Sequence, residues 1–281
     1  MYESFYHLKE NPFGATPDPR FFYKGKAHRE ALAYLAYGIF RKRGFLAVTG
    51  EVGIGKTTVI RSFVQTFYPC LDASFVLNTR VTFEEMLYLS LRDFGCETAN
   101  RSKVEMLTAL NDYLIDKYAM NQNPLLVIDE AQNLTADVLE ELRLLSNLET
   151  DQHKLIQIVL IGQPELEAVL LRKELRQFRQ RIPGILRMHR LSREEVGRYI
   201  IYRLRIAGMV KGGVHFSAGA HDAVFEFSEG IPRLINTVCD KVLHRSYLRK
   251  QRIIERKAVE ASIQELANQV DHPREEWGGL R

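Results

Sequence analysis

The chain has 281 residues, 46% hydrophobic and 26% charged, with a formal net charge of +4. That is enough apolar chain for a large core and two domains, and it excludes a disordered, collagen-like or low-complexity protein. The mild basic excess permits an anionic partner without requiring one. Three cysteines, Cys70, Cys96 and Cys239, are odd in number and far apart. They argue against a disulfide framework or a metal cluster and favour a reducing compartment. The longest apolar runs, Leu125–Ile128 and Ile158–Gly162, have strand length, far below the roughly 20 residues that cross a bilayer. Glu3, Lys9 and Glu10 interrupt the apolar stretch a signal peptide needs. The expectation is a cytoplasmic protein with no membrane span of its own, peripheral to a membrane only through a partner.

Residues 1–25 carry Asn11-Pro12-Phe13, Thr16-Pro17-Asp18-Pro19 and Phe21-Phe22-Tyr23. Proline disfavours helix here, and the aromatics have no helical period. The stretch reads as an extended strap lying on a core. Apolar positions Ala31, Leu32, Leu35, Ala36 and Ile39 predict a helix over 26–42. Strands and helices then alternate. Strands are expected at 45–49, 73–77, 125–128, 155–161 and 185–188, and helices at 57–67, 83–94, 105–118, 136–148 and after Pro164. This alternation argues a parallel sheet covered by helices. From Ser192 the pattern turns wholly helical. Ser192 and Glu195 form a capping box, Ser217 caps a second helix, Gly230-Ile231-Pro232 breaks it, and further helices span 233–250 and 255–270. The domains expected are 1–190, strap plus α/β domain, then 191–270, a small all-helical domain, and 271–281, an irregular tail.

Between the first strand and its helix lies Gly50-Glu51-Val52-Gly53-Ile54-Gly55-Lys56-Thr57, a G-x-x-x-x-G-K-[ST] phosphate loop. Gly50, Gly53 and Gly55 permit a tight turn through φ > 0, with N–H groups pointing inward. Those N–H groups and the helix N-terminus that follows through Thr58 cradle phosphates. Lys56 adds a point charge to the β- and γ-phosphates, and the Thr57 hydroxyl can ligate Mg²⁺. The third strand ends in Asp129-Glu130. Asp129 would hold Mg²⁺, and Glu130 would deprotonate the attacking water. The fourth strand ends Gly162-Gln163, which projects a neutral amide from the carboxyl edge of the sheet toward the γ-phosphate. Arg176, Arg179 and Arg181 form a basic segment from which an arginine could reach a phosphoryl-transfer site. Arg233 begins a helix, where a cation is unfavourable unless an anion lies nearby. Lys241, Arg245, Arg249, Lys250, Arg252, Arg256 and Lys257 face only Glu255 in their span. That run reads as a solvated face, and a track for nucleic-acid phosphates is the alternative. Arg80 and Arg101–Lys103 are loop cations to weigh with it.

The order phosphate loop, Asp129-Glu130, Gln163, arginine cluster and Gly230-Ile231-Pro232-Arg233 resembles the AAA+ ATPases. More narrowly, Asn11-Pro12-Phe13, Thr16-Pro17-Asp18-Pro19-Arg20, His28-Arg29-Glu30-Ala31-Leu32, Asp129-Glu130-Ala131-Gln132 and Gly162-Gln163-Pro164-Glu165-Leu166 resemble the ExeA/GspA family of general secretion ATPases, with its MshM-like pilus-biogenesis members. The resemblance implies a five-stranded parallel sheet of order 5-1-4-3-2 and a helical lid, with ATP and Mg²⁺ between them. It implies nucleotide-dependent assembly with itself into rings or filaments. Pro12 and Phe13 would lie near the adenine, Gln163 would be sensor 1, Arg179 or Arg181 the arginine finger, and Arg233 sensor 2. Longer members add a transmembrane helix and a peptidoglycan-binding domain, so a chain of this length is expected to be a short, stand-alone member. The function expected is an ATPase that drives or licenses assembly of a secretion or pilus-type machine, with an inner-membrane component as partner. The alternative is a TnsC/TniB-like regulator that binds duplex DNA and recruits a transposase. A third reading is a nucleotide switch with little turnover.

Overall fold

The computed structural model describes residues 1–14, 18–67, 71–97, 102–150, 153–210 and 212–271. Thr16, Pro17, Cys70, Arg101 and the tail with Pro273, Trp277, Gly278 and Gly279 lie outside the described residues. In chain order the elements are α1 (Tyr2–Phe5), α2 (Lys26–Phe40), β1 (Phe45–Thr49), α3 (Lys56–Phe67), β2 (Leu71–Val76), α4 (Phe83–Asp93), α5 (Lys103–Ala119), β3 (Asn123–Ile128), α6 (Ala136–Leu145), β4 (Gln157–Gly162), α7 (Glu165–Leu170), α8 (Arg176–Arg179) and β5 (Ile185–Arg187). There follow α9 (Arg193–Ile206), β6 (His215–Phe216), α10 (Ala218–Ser228), α11 (Pro232–Leu248), β7 (Ile253–Ile254) and α12 (Arg256–Asp271). The chain divides into two compact units, one of residues 27–189 and one of residues 1–26 with 190–281.

The first unit is a five-stranded parallel sheet of order β2-β3-β4-β1-β5. This is the order that the family resemblance implies. Hydropathy marks each strand's place in it. β1 and β4 are buried at every residue, as strands covered on both faces must be, whereas the edge strands β2 and β5 alternate or stay half-buried. The register decides what the sheet presents. Thr49 pairs with Gly162, Ile128 with Leu160 and Val76 with Ile128. The strands therefore end nearly level, and the residues after them emerge along one carboxyl edge.

The second unit packs α9, α10, α11 and α12 around Val196, Leu204, Val238, Val242 and Leu243. The expected capping box is present. Glu195 N–H donates to Ser192 Oγ at 3.3 Å, and Ser192 N–H donates to Glu195 Oε2 at 3.1 Å. Two readings of this unit are corrected. It is not all helical, because β6 and β7 pair in parallel through His215↔Ile253 and Phe216↔Ile254. Two-residue strands carry too few positions to show a period. The strap also belongs here rather than with the α/β domain. Tyr2, Tyr6, Leu8, Phe13 and Phe21 are buried in the helical unit's core, and the Tyr6 hydroxyl donates to the Leu243 and Gln251 carbonyls. Nor is the strap extended throughout, since α1 and a 3₁₀ turn at Pro19–Phe21 interrupt it. Aromatics without a period announce burial but name no partner surface.

Candidate active site

The loop after β1 turns through Gly53 at φ 81° and Gly55 at φ 101°, a region costly for residues with a Cβ. Gly50 is not among the positive-φ glycines. Its requirement is close approach, because a Cβ there would sit 3.2 Å from Ile54 Cγ2 and 3.2 Å from Met188 Cβ. Lys56 is 7% exposed, and its Nζ donates to the carbonyls of Gly50 at 2.7 Å and Glu51 at 3.0 Å. Burial pulls the Lys56 ammonium below its ordinary pKa, and the negative charges of Glu130 and Asp129 oppose that pull. Val52 stands outward at the loop tip, and Thr58 is half-buried in the first turn of α3.

The Thr57 hydroxyl donates to Asp129 Oδ2 at 2.5 Å, and Asp129 Oδ1 accepts the Glu130 N–H at 2.9 Å. Asp129 is 8% exposed and lies one strand away from β1, across β4, so its reach to Thr57 depends on the level strand ends. This pair of hard oxygens beside a phosphate-type loop fits Mg²⁺, whose remaining ligands come from substrate phosphates and water. Among the described residues no cluster of three or more His, Cys, Asp or Glu could hold a metal alone.

Glu130 adopts left-handed backbone angles, φ 52° and ψ 40°, a strained conformation for a residue with a Cβ. Its carbonyl is fixed by the Thr79 hydroxyl at 3.1 Å and the Asn133 N–H at 3.0 Å. Its Oε2 accepts two amides, Gln163 Nε2 at 3.0 Å and Gln132 Nε2 at 2.6 Å. Gln132 Oε1 in turn accepts the Gln163 N–H at 3.0 Å. The Gln163 hydrogen bond, that of Gln132 and the Lys56 charge hold the Glu130 carboxyl below the usual carboxylate range, against the opposing effect of burial. In the sequence Gln132 stands out only as part of the Asp129-Glu130-Ala131-Gln132 motif, which assigns it no role. The 3₁₀ turn at Ala131–Asn133 brings its amide back to the site, and a Cβ on Gly162 would lie 3.0 Å from Gln132 Oε1.

Other candidates are outside this hydrogen-bonded set. Arg179 ends α8 and is exposed, and Arg181 donates to Asn147 Oδ1 at 3.0 Å. Among the described residues neither hydrogen-bonds to the phosphate loop or Glu130. In the helical unit, Arg233 stands exposed in the first turn of α11. Pro12 and Phe13 are buried there, Pro12 offering its carbonyl to Arg203 Nε and Phe13 lying 6.0 Å from the same guanidinium.

A family model described as an AAA domain matches residues 40–170. General secretion pathway protein A of Aeromonas hydrophila is 40% identical over 250 residues, which cover 89% of this chain and 45% of that protein. The chain is an AAA-domain protein similar to general secretion pathway protein A. It spans less than half the length of that relative. Two solved structures share the fold. The ORC2 protein of Aeropyrum pernix superposes with a TM-score of 0.70 at 17% identity, over 92% of this chain and 72% of that one. Cdc6p from Pyrobaculum aerophilum gives 0.67 at 18%, over 90% and 70%. No described helix is long and apolar enough to cross a membrane.

Proposed function

We propose that this AAA-domain protein binds ATP with Mg²⁺ at the carboxyl edge of its sheet and hydrolyses it. One observation carries the reading. Thr57, Asp129, Glu130 and Gln163 come from three separate strand ends and meet in a single hydrogen-bonded set, and the buried Lys56 ammonium, held by the Gly50 and Glu51 carbonyls, feels the charges of Glu130 and Asp129. Gly50 to Thr58 cradle the phosphates, Lys56 exchanges its loop carbonyls for phosphate oxygens, and Thr57 and Asp129 hold the metal. When bound, Mg²⁺ neutralises charge on the phosphate oxygens. Glu130 takes a proton from water at Oε1, because Oε2 is already engaged by two amides. Gln163 offers its second N–H to the γ-phosphate. The roles of Pro12, Phe13, Arg233, Arg179 and Arg181 belong to this proposal and rest on the family resemblance alone.

At the level of the cell, the reading is a nucleotide-dependent homo-oligomer on the cytoplasmic side that drives or licenses assembly of a secretion or pilus-type machine. The name of the 40% identical relative supports it. The duplex-DNA alternative draws less support. The basic run of the helical unit meets acids that its local span lacks: Lys241 and Arg245 pair with Glu265, and Arg256 with Glu226 and Glu260. Glu130→Gln is expected to bind ATP, hydrolyse it at least about 100-fold more slowly, and capture an inner-membrane component that Lys56→Ala does not. Hydrolysis equal to wild type would sink the assignment of Glu130. ATP-dependent binding of duplex DNA with a steep inverse salt dependence, and no membrane component captured, would favour the alternative.

A further inference from the structure

We propose that His28 is a positioning residue for the nucleotide: its Nε2 proton fixes the Ile54–Gly55 peptide so that the Gly55 N–H faces the phosphates. The inference rests on the reading of Gly50–Thr57 as a nucleotide loop and assigns a role that reading leaves open.

His28 lies in the first turn of α2 and is 4% exposed. It shares a helix face with Ala31, Leu35 and Ile39, all buried, and is the titratable group on that apolar face. Burying an imidazole among apolar side chains is unfavourable unless its nitrogens are satisfied. Its Nε2 lies 3.2 Å from the Ile54 carbonyl oxygen. A carbonyl can only accept, so Nε2 must carry the proton. The direction of that bond has a consequence inside the loop. In a trans peptide the C=O and the following N–H point to opposite sides. Among the described residues no peptide is cis. With the Ile54 C=O drawn outward to His28, the Gly55 N–H is turned to the opposite side, into the loop, where P-loop N–H groups meet phosphate.

Two further contacts make this a brace rather than a chance approach. A Cβ on Gly55 would stand 3.1 Å from His28 Nε2, so the loop's closest backbone and the imidazole share one tight space. At the other end of α2, a Cβ on Gly38 would meet Leu46 Cδ2 at 2.2 Å, so the helix lies directly against β1. Ten residues of helix, about 15 Å, separate these anchors. α2 thus runs back along β1, fixed beside its start at Gly38 and beside the loop after its end at His28. Freedom of the Ile54–Gly55 peptide to rotate before binding would be lost on binding and would weaken affinity. A pre-oriented N–H removes that cost.

The test compares wild type, His28→Leu, His28→Gln, His28→Asn and Lys56→Ala in ATP hydrolysis and ADP titration. Loss of the bond in His28→Leu should raise KM for ATP and Kd for ADP about ten-fold. Its kcat should stay within about two-fold, since Glu130 is untouched. Glutamine places an N–H donor at the reach of Nε2, so His28→Gln should return to within about three-fold of wild type. Asparagine falls short and should behave like leucine. Wild-type affinity in His28→Leu, or equal loss in leucine and glutamine, overturns the proposal. If His28→Leu does not fold, the glutamine and asparagine variants decide: tighter binding by glutamine supports the role, and equal binding overturns it. Lys56→Ala binding nucleotide as well as wild type would overturn the loop reading itself, whatever the His28 variants do.

Discussion

Among the described residues each unit buries one long cation, and the two are held in opposite ways. In the α/β unit, Lys56 is 7% exposed and donates to two carbonyls of its own loop. In the helical unit, Arg203 is 8% exposed. Its Nε bonds the Pro12 carbonyl, its Nη1 bonds the Tyr199 hydroxyl, and the guanidinium lies 4.9 Å from the Phe21 ring centroid and 5.7 Å from that of Tyr199. Among the described residues neither cation has an ion-pair partner. Lys56 rests on acceptors that a phosphate can replace, because an ammonium trades one oxygen for another at little cost. Arg203 rests on aromatic faces and a carbonyl buried in the core, which nothing from solution can replace. A buried charge therefore marks a binding site only when its partners are exchangeable. The same property in Arg203 marks a rivet, one that holds the N-terminal strap to α9.

Three substitutions test this contrast. The largest effect is expected from Lys56→Met, which should weaken ATP binding at least about 100-fold while changing unfolding free energy by less than about 1 kcal/mol. Nucleotide titration and urea denaturation of the same sample would read both quantities. A stability loss larger than the binding loss would erase the distinction. Next, Arg203→Met keeps much of the apolar volume but strands the Pro12 carbonyl and removes the cation from three rings. A loss of about 2 kcal/mol is expected, read as a lower denaturation midpoint. An unchanged midpoint would mean the strap is held by its aromatics alone. The smallest effect is assigned to Gln132→Leu. It removes one of two donors from Glu130 Oε2 and should lower kcat about ten-fold with KM unchanged. A raised KM with normal kcat would place Gln132 in nucleotide binding instead.

The residues that hold these sites were not equally legible. Lys56 was evident from its motif, because the chemistry of phosphate binding demands a fixed order of neighbours along the chain. Gln132 and His28 were in plain view within quoted motifs, yet their roles depend on what a 3₁₀ turn and a helix bring near from elsewhere. His28 carried one faint signal, a polar residue on a face otherwise built of alanine, leucine and isoleucine. Arg203 carried none, since its partners Pro12 and Phe21 are more than 180 residues away. The basic run of α11 and α12 teaches the same point. Its local count of one acid overstates its charge, because Glu226, Glu260 and Glu265 reach it only in the folded unit.

Local order along the chain was sufficient for the five strands, for the caps at Ser192 and Ser217, and for the phosphate loop with its acidic strand end. Strand burial, helix capping and phosphate cradling each depend on residues a few positions apart, so they leave a pattern that can be read without the fold. The unit to which the strap belongs, the β6–β7 pair, the Gln163 amide on Glu130 and the brace from His28 to Ile54 were decided only by tertiary structure. Each joins groups whose separation in sequence no local rule constrains, and each is selected by the need to satisfy a polar group once the surrounding apolar surface has been buried.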